Sequence, residues 1–552
     1  MKKTICIAAF VFAFISIAGS AFGATGEVVL ENPDFRLVIG NDAIIKSLIH
    51  KPSGEECLEP GIIVPAFAIT QYRPYDNELQ LSFPAKTRTF PAKSVRRDSD
   101  TLVVEFELIS HTATIEVVIR DGYIGFELQR IDYLIEDYGV KRVTPVDEFI
   151  LLQLPVKKRN NFGEWLNVMW DEDVAVNLLA TDPFTRIDGY PAPSHQLLNA
   201  AAVREVKTLG TGCALIVSST NSFLDRVRQV EEDYGLPNGV RSRERPEYKW
   251  SYYELRGNGE LLQTIDRNIE YARLGGFRAM VVYYPDFAKT AGHFEWREEF
   301  PGGMKDLKII TKKIKDAGMI PGLHMHYNKA GIKDPYVSPI PDHRLNLRKI
   351  FTLAAPLDTD SKTVTVEEDP SGSTLDDRRR FLKIGKEIIS YQGYTSSRPF
   401  RFTGCVRGAL GTVPSDYDTG YKFGLLDVDT WPDFVRFDQR SSIQEEVAER
   451  IGKLCSEAGF EFLYFDGAED IHPPYWFHGA NAQYKVYRKL DPKPLFSEGA
   501  MKAHFSWHIL TRGNAFDHFP PEVIKEATRR YPLAKAAHIS KDFTALNFGW
   551  MS

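Results

Sequence analysis

The chain has 552 residues, 43% of them hydrophobic and 26% charged, with a formal net charge of −6. That length allows two or more domains, and the apolar content excludes a disordered chain. The acidic balance is mild and no basic stripe interrupts it, which excludes nucleic acid as a partner.

Lys2 and Lys3 precede an apolar run from Ile5 to Ile17, and Ser20-Ala21-Phe22-Gly23-Ala24 then supplies small residues. This layout predicts a secretory signal peptide over residues 1–24. The run is shorter than the ~20 residues a spanning helix needs, and no later segment is long and apolar enough. The expectation is a mature protein without an integral membrane segment, periplasmic or extracellular. Cys57, Cys213, Cys405 and Cys455 then remain, with no CxxC or Cys/His cluster to suggest zinc. An oxidising compartment permits one or two disulfides among them.

From about Glu27 to Val230 the chain reads as short strands. Val28–Leu30, Phe35–Ile39, Leu102–Phe106 and Ala113–Ile119 are β-branched and partly alternating, punctuated by Gly, Pro, Asn and Asp. Many such strands predict an all-β sandwich over residues 25–240. The first helical pattern begins at Ser222.

After about Glu244 the rhythm changes. A strand is expected over Tyr248–Tyr253 and a helix over Leu261–Leu274, stopped by Gly275-Gly276. A buried strand follows at Phe277–Tyr284, a helix at Met304–Ala317 and a strand at Met319–His326. This alternation predicts βαβ units and a parallel sheet, with a TIM-type (β/α) barrel over residues 241–552. The alternation pauses between Lys349 and Asp429, where short strand candidates (Thr363–Val366, Phe381–Ile384, Glu387–Tyr391, Arg401–Cys405) predict a β-rich insertion over residues 349–429. It resumes with a helix over Ser442–Ala458, a strand over Phe460–Asp466, a helix over Asn481–Leu490 and a strand over Pro494–Glu498. Asn514–Asp517 and Ala545–Phe548 are weaker strand candidates, and an eighth strand is not legible. The expected fold class is multidomain β and α/β: an N-terminal β-sandwich, then a barrel with an inserted small β module.

Barrel active sites lie at the C-terminal ends of the strands, so carboxylates closing apolar strands are the candidates for chemistry. Asp466-Gly467 closes Phe462-Leu463-Tyr464-Phe465, and Glu498-Gly499 closes Pro494-Leu495-Phe496-Ser497. Glycoside hydrolysis needs two such groups, one a nucleophile or base and the other an acid. Asp466 and Glu498 are the catalytic candidates. Asp286 ends the second strand, and His324 and His326 share one face of the third. Trp250, Tyr252, Trp296, Trp476, Trp507 and His508 are candidates for stacking on sugars or binding their hydroxyls. Asp517 is the alternative second carboxylate. Glu469 and Asp470 follow Asp466 closely enough to bind substrate. No cofactor motif is present and no metal is expected.

His293-Phe294-Glu295-Trp296, Phe300-Pro301-Gly302-Gly303-Met304-Lys305 and Gly318-Met319-Ile320-Pro321-Gly322-Leu323-His324 resemble the second and third units of α-galactosidase-like barrels. The order of later features is similar to a wider set of α-retaining hydrolases, including endo-α-N-acetylgalactosaminidases. The resemblance covers about Trp250 to Glu498. It implies that Asp466, ending strand four, is the nucleophile and Glu498, ending strand five, the acid/base of a retaining α-glycosidase acting on an oligo- or polysaccharide. The α-galactosidase nucleophile usually has a Lys one or two residues before it. Tyr464-Phe465 stands here instead, which removes the sign of galactose specificity. Two alternatives stay open: an inverting hydrolase or lyase pairing Asp466 with Asp286 or Asp517, and a non-catalytic glycan-binding or surface protein.

Overall fold

The structure, a computed structural model, describes residues 26–72, 75–76, 81–82, 86–106, 109, 111–133, 145–255, 259–429, 433–467, 471–500, 503–513 and 546–547. Glu469, Asp470, Asp517, the Asn514–Asp517 strand candidate and the expected signal peptide lie outside the described residues.

The described residues between Val28 and Ser219 form antiparallel sheets. Four strands from Val28–Glu31 to Glu55–Glu56 make one, and sheets of eight and five strands follow. The predicted strands are present as Val28–Glu31, Phe35–Ile39, Thr101–Phe106 and His111–Ile119. Alternation aims Leu102, Val104, Ile115 and Phe126 of the eight-stranded sheet at Phe149, Leu152, Leu154 and Leu198 of the five-stranded one, all within one apolar core. Phe106 meets Phe149 edge to face, with centroids 5.9 Å apart.

A seven-stranded parallel sheet follows, its strands in chain order: Tyr252–Leu255, Ala279–Tyr283, Ile320–His326, Phe462–Asp466, Phe496–Gly499, Arg512–Gly513 and Leu546–Asn547. They are called strands one to seven below. The connecting helices bury one apolar stripe each: Leu261, Ile265, Ile269 and Ala272 on Leu261–Leu274; Leu307, Ile310 and Ile314 on Met304–Asp316; Val447, Ile451 and Leu454 on Ile443–Ala458. That last helix ends at Gly459, whose φ of 77° is a left-handed cap that suits glycine.

The register divides the sheet into two faces. Met280, Val282, Leu323, Met325, Leu463 and Phe465 join the core that includes the helices. Ala279, Val281, Ile320, Phe462, Tyr464 and Phe496 form a separate cluster on the other face. On this second face Tyr252 of strand one donates its hydroxyl to Glu498 of strand five at 3.2 Å. In a flat sheet those strands would stand about 19 Å apart. Arg512 of strand six likewise donates to the carbonyl of Trp250, just before strand one, at 2.8 Å. The sheet is therefore strongly curled, with this second face inside.

The inserted module sits between strands three and four. Leu347–Thr352, Lys422–Leu426, Phe381–Ile384 and Glu387–Ser390 form one sheet, and Thr363–Thr365, Arg401–Thr403 and Gly393–Tyr394 a second. Phe351, Val364, Leu382, Ile389, Phe402 and Phe423 give it a core of its own.

The structure moves several expected boundaries. The strand expected at Tyr248–Tyr253 begins at Tyr252, because Pro246 starts a 3₁₀ turn over Pro246–Lys249. The helix expected at Asn481–Leu490 begins at Tyr475. Its aromatic first turn has weak helix propensity and is held by packing, as where Phe477 meets Phe184. Cys57, Cys213, Cys405 and Cys455 are free, buried thiols, with Cys405 in the core of the module and Cys455 on the Ile443–Ala458 helix. Among the described residues no helix is long and apolar enough to cross a membrane.

Candidate active site

Strand register brings His326 opposite Asp466, and His324 opposite Tyr464, on the inner face. His324 lies between two carboxylates: its Nε2 is 3.0 Å from Asp466 Oδ2 and its Nδ1 is 3.1 Å from Glu254 Oε1. A neutral imidazole has a single N–H to donate, so both bonds require the imidazolium. Burial alone would lower the His324 pKa, but the hydrogen bonds to Asp466 and Glu254 outweigh it and raise it above 6.5. Tyr283 stacks on the ring with centroids 4.3 Å apart.

Burial alone would raise Asp466, but His326, His324 and Lys329 outweigh it and hold the carboxyl well below the usual carboxylate range. His326 itself is pushed down to about 3 by burial and by Lys329. At neutral pH the cations beside Asp466 are thus His324 and Lys329. Asp466 alone of this group reaches solvent appreciably: its side chain is 23% exposed, against 3% for His324.

Lys329 is tied into a buried ladder of alternating charge. Its Nζ meets Asp429 at 2.7 Å, Asp429 meets Arg436 at 3.0 Å, and Arg436 meets Asp427 at 2.9 Å. Asp427 and Asp429 directly follow the last strand of the module, so the insertion supplies part of the support beneath Asp466. Gly467 makes the approach of Lys329 possible. A Cβ there would lie 2.5 Å from Lys329 Nζ and 3.0 Å from His326 Nδ1, and φ is 91°. Gly467→Ala is expected to displace Lys329 and to cost about 1–3 kcal/mol of stability. An unchanged melting temperature and turnover would contradict this packing.

The imidazolium gives a second expectation, in pH. A histidine whose folded pKa is raised stabilises the fold fully below its unfolded value of 6.5, and that contribution is lost as pH rises through the folded value. The difference in melting temperature between wild type and His324→Gln should therefore be largest in mild acid and shrink on the alkaline side of neutrality. A pH-independent difference would rule out the charged form.

Glu498 is placed differently. It pairs in register with Tyr464, two residues short of Asp466. Arg512 Nε bonds its Oε2 at 2.5 Å and Tyr252 bonds its Oε1 at 3.2 Å, with both partners of the ion pair 1% exposed. Burial raises the Glu498 carboxyl, with Arg512 and Tyr252 opposing. A general acid must reach the leaving oxygen, and both oxygens of Glu498 are engaged inside the sheet. Both oxygens of the residue expected as the acid/base are thus held by Arg512 and Tyr252.

The structure brings Asp466, His324 and His326 together, and Glu498 is near enough to His324 to interact with it electrostatically. Asp286 is buried in the short turn Tyr284–Asp286 after strand two. Trp250 lies at the opposite end of the sheet, its ring beneath Arg278. Trp296 packs on Phe287 and covers Gly303 of the Phe-Pro-Gly-Gly turn. Trp476 is half-buried in the first turn of its helix, beside Phe477. Trp507 is fully buried with the Arg243 guanidinium 3.8 Å from its ring centre, and His508 bonds buried Glu231 at 2.6 Å. Sequence reasoning missed Glu254, Tyr283, Lys329 and Arg512. Glu254 carries the signal used for Asp466, a carboxylate near the end of an apolar strand, whereas Lys329 is recognisable only through partners 100 residues away. Among the described residues no group of three or more His, Cys, Asp or Glu side chains is arranged to hold a metal ion.

No protein-family model matches the chain, and no curated protein matches it. Solved structures similar to it include the GH36 α-galactosidase AgaA from Geobacillus stearothermophilus, at 10% identity and TM-score 0.41, over 88% of this chain and 74% of that one. The α-N-acetylgalactosaminidase NagBb from Bifidobacterium bifidum is similar at 10% identity and TM-score 0.39, over 94% and 83%. A GH31 family sulfoquinovosidase from E. rectale is similar at 10% identity and TM-score 0.42, over 89% and 68%.

Proposed function

We propose that this chain is an exported glycoside hydrolase that cleaves α-linked glycosides through Asp466. The architecture in this reading is a β-sandwich over residues 25–240 and a (β/α) barrel over 241–552, interrupted by the module at 349–429. The sequential parallel strands and the inward curl of the sheet support the barrel. The observation that carries the function is the state of Asp466: an ionised carboxylate at the end of strand four, held by a buried imidazolium and reaching solvent. A general base works best with a pKa near the operating pH. A carboxylate held well below the usual range is a poor base, yet stays an anion able to attack an anomeric carbon. That favours the nucleophile of a retaining mechanism over the base of an inverting one.

Glu498 is not available as the second carboxyl. The chain leaves strand six at the same end of the sheet as Asp466, four residues before Asp517. In this reading Asp517 protonates the leaving oxygen. A panel of α- and β-linked oligosaccharides, with product stereochemistry followed by NMR, tests the proposal. Turnover of α-linked members with retention is expected. Turnover of β-linked members alone, or inversion, would overturn it. The second reading, a non-catalytic glycan-binding protein, is favoured by the closure of Glu498 on Arg512. It predicts binding without turnover across the same panel.

A further inference from the structure

We propose that a cationic cleft in the inserted module is a subsite for an anionic group, carboxylate or sulfate ester, carried by the glycan. The proposal rests on the glycan-active reading above and names a substrate class for it. The cleft has a volume of about 310 Å³ and is lined by Arg348, Lys349, Ser371, Gly372, Thr374 and Arg379, with no acidic side chain in the lining. Three cations and two hydroxyls facing one cavity suit a multivalent oxyanion, which accepts several charge-assisted hydrogen bonds at once.

The neighbours of these cations leave charge for a ligand. Arg379 belongs to the run Asp376-Asp377-Arg378-Arg379-Arg380. Arg378 closes on Asp433 and Arg380 on Asp377. Arg379 is 16% exposed, and among the described residues its side chain meets Asp376 at 3.6 Å and the Val428 carbonyl at 3.4 Å. Lys349 donates to the main-chain carbonyls of Asp369 and Ser371, and the Asp369 carboxylate interacts with it only through space. Arg348 is half-exposed, with its Nε 3.4 Å from Asp427.

The cleft shares Arg348 with a second one. Arg348 lines a second cleft of about 440 Å³, together with Asp427, Arg440, His472 and Tyr475. His472 and Tyr475 belong to the segment that follows strand four and Asp466. Tyr475 is 52% exposed, a free ring face for a sugar. Beneath the two clefts runs the charge ladder from Arg348 through Asp427, Arg436 and Asp429 to Lys329, against Gly467.

The test uses the full chain carrying Asp466→Asn, so that ligands persist. Calorimetric titration compares an oligogalacturonide, a sulfated galactan oligosaccharide, a neutral galactan oligosaccharide of equal length, and inorganic sulfate. At least one anionic oligosaccharide should bind about tenfold or more tighter than the neutral one, and added salt should weaken that preference. Adding Lys349→Ala and Arg379→Ala should abolish the preference without lowering the melting temperature. The carboxylate and sulfate arms identify the anion. Equal binding of charged and neutral chains, no binding of either anionic chain, binding of inorganic sulfate alone, or a preference that survives the double substitution overturns the subsite. Anionic preference without turnover by the wild type would instead defeat the hydrolase reading and leave the subsite standing. Turnover without the preference does the reverse.

Discussion

Replacing Asp466 by alanine should abolish turnover, lowering kcat by about 10⁴-fold or more, the scale on which removing a catalytic nucleophile acts. The fold should persist at reduced stability, because Asp466 contributes no apolar packing and His324 keeps Glu254 as an anionic partner. Circular dichroism and the melting temperature check the fold, and turnover of the best glycan in the panel checks the activity. Removal of the carboxylate also relieves His324 of one of its two anionic partners, leaving Glu254. The imidazole pKa should fall in the variant, which NMR of the histidine ring reports directly. Wild-type turnover by Asp466→Ala would sink the assignment, and an unchanged His324 titration would sink the geometry on which it stands.

Glu498→Gln and Arg512→Ala should each cost stability heavily and act as a pair. Removing one partner from a buried ion pair leaves the other charge uncompensated, at about 3–5 kcal/mol. Arg512 has the larger role, since its NH1 also holds the carbonyls of Tyr248 and Trp250 at 2.7 and 2.8 Å. Those bonds join strand six to the start of strand one and keep the sheet curled. Denaturant unfolding of the two single variants and the double variant measures the coupling, and the double loss should fall short of the sum. The same variants decide the role of Glu498. If Glu498→Gln keeps wild-type stability and loses turnover, Glu498 is a working acid and the structural assignment fails.

The positions of the elements were largely legible in the sequence, because they rest on local periodicity. Leu261–Leu274 shows its apolar stripe and its Gly-Gly stop, and the structure has that helix over the same residues. The strands of the inserted module are also readable one by one, since each is a short β-branched or aromatic run between turn residues. Boundaries failed where tertiary packing overrode propensity, as in the aromatic first turn at Tyr475. Strand six failed because a two-residue strand has no period to detect.

What the sequence by itself determined was the alternation of units and the two strand-ending carboxylates, Asp466 and Glu498. Only the tertiary structure separated them. They look alike in sequence, each an acid before a glycine at the end of an apolar strand. Register sets Glu498 level with Tyr464, and the curl of the sheet brings Arg512 and Tyr252 onto it from strands distant in the chain. The same curl leaves Asp466 at the edge, with His324, His326 and Lys329 beneath it. Burial, partner charge and access to solvent depend on which strands meet across the inside of the sheet, and no local pattern of residues encodes that.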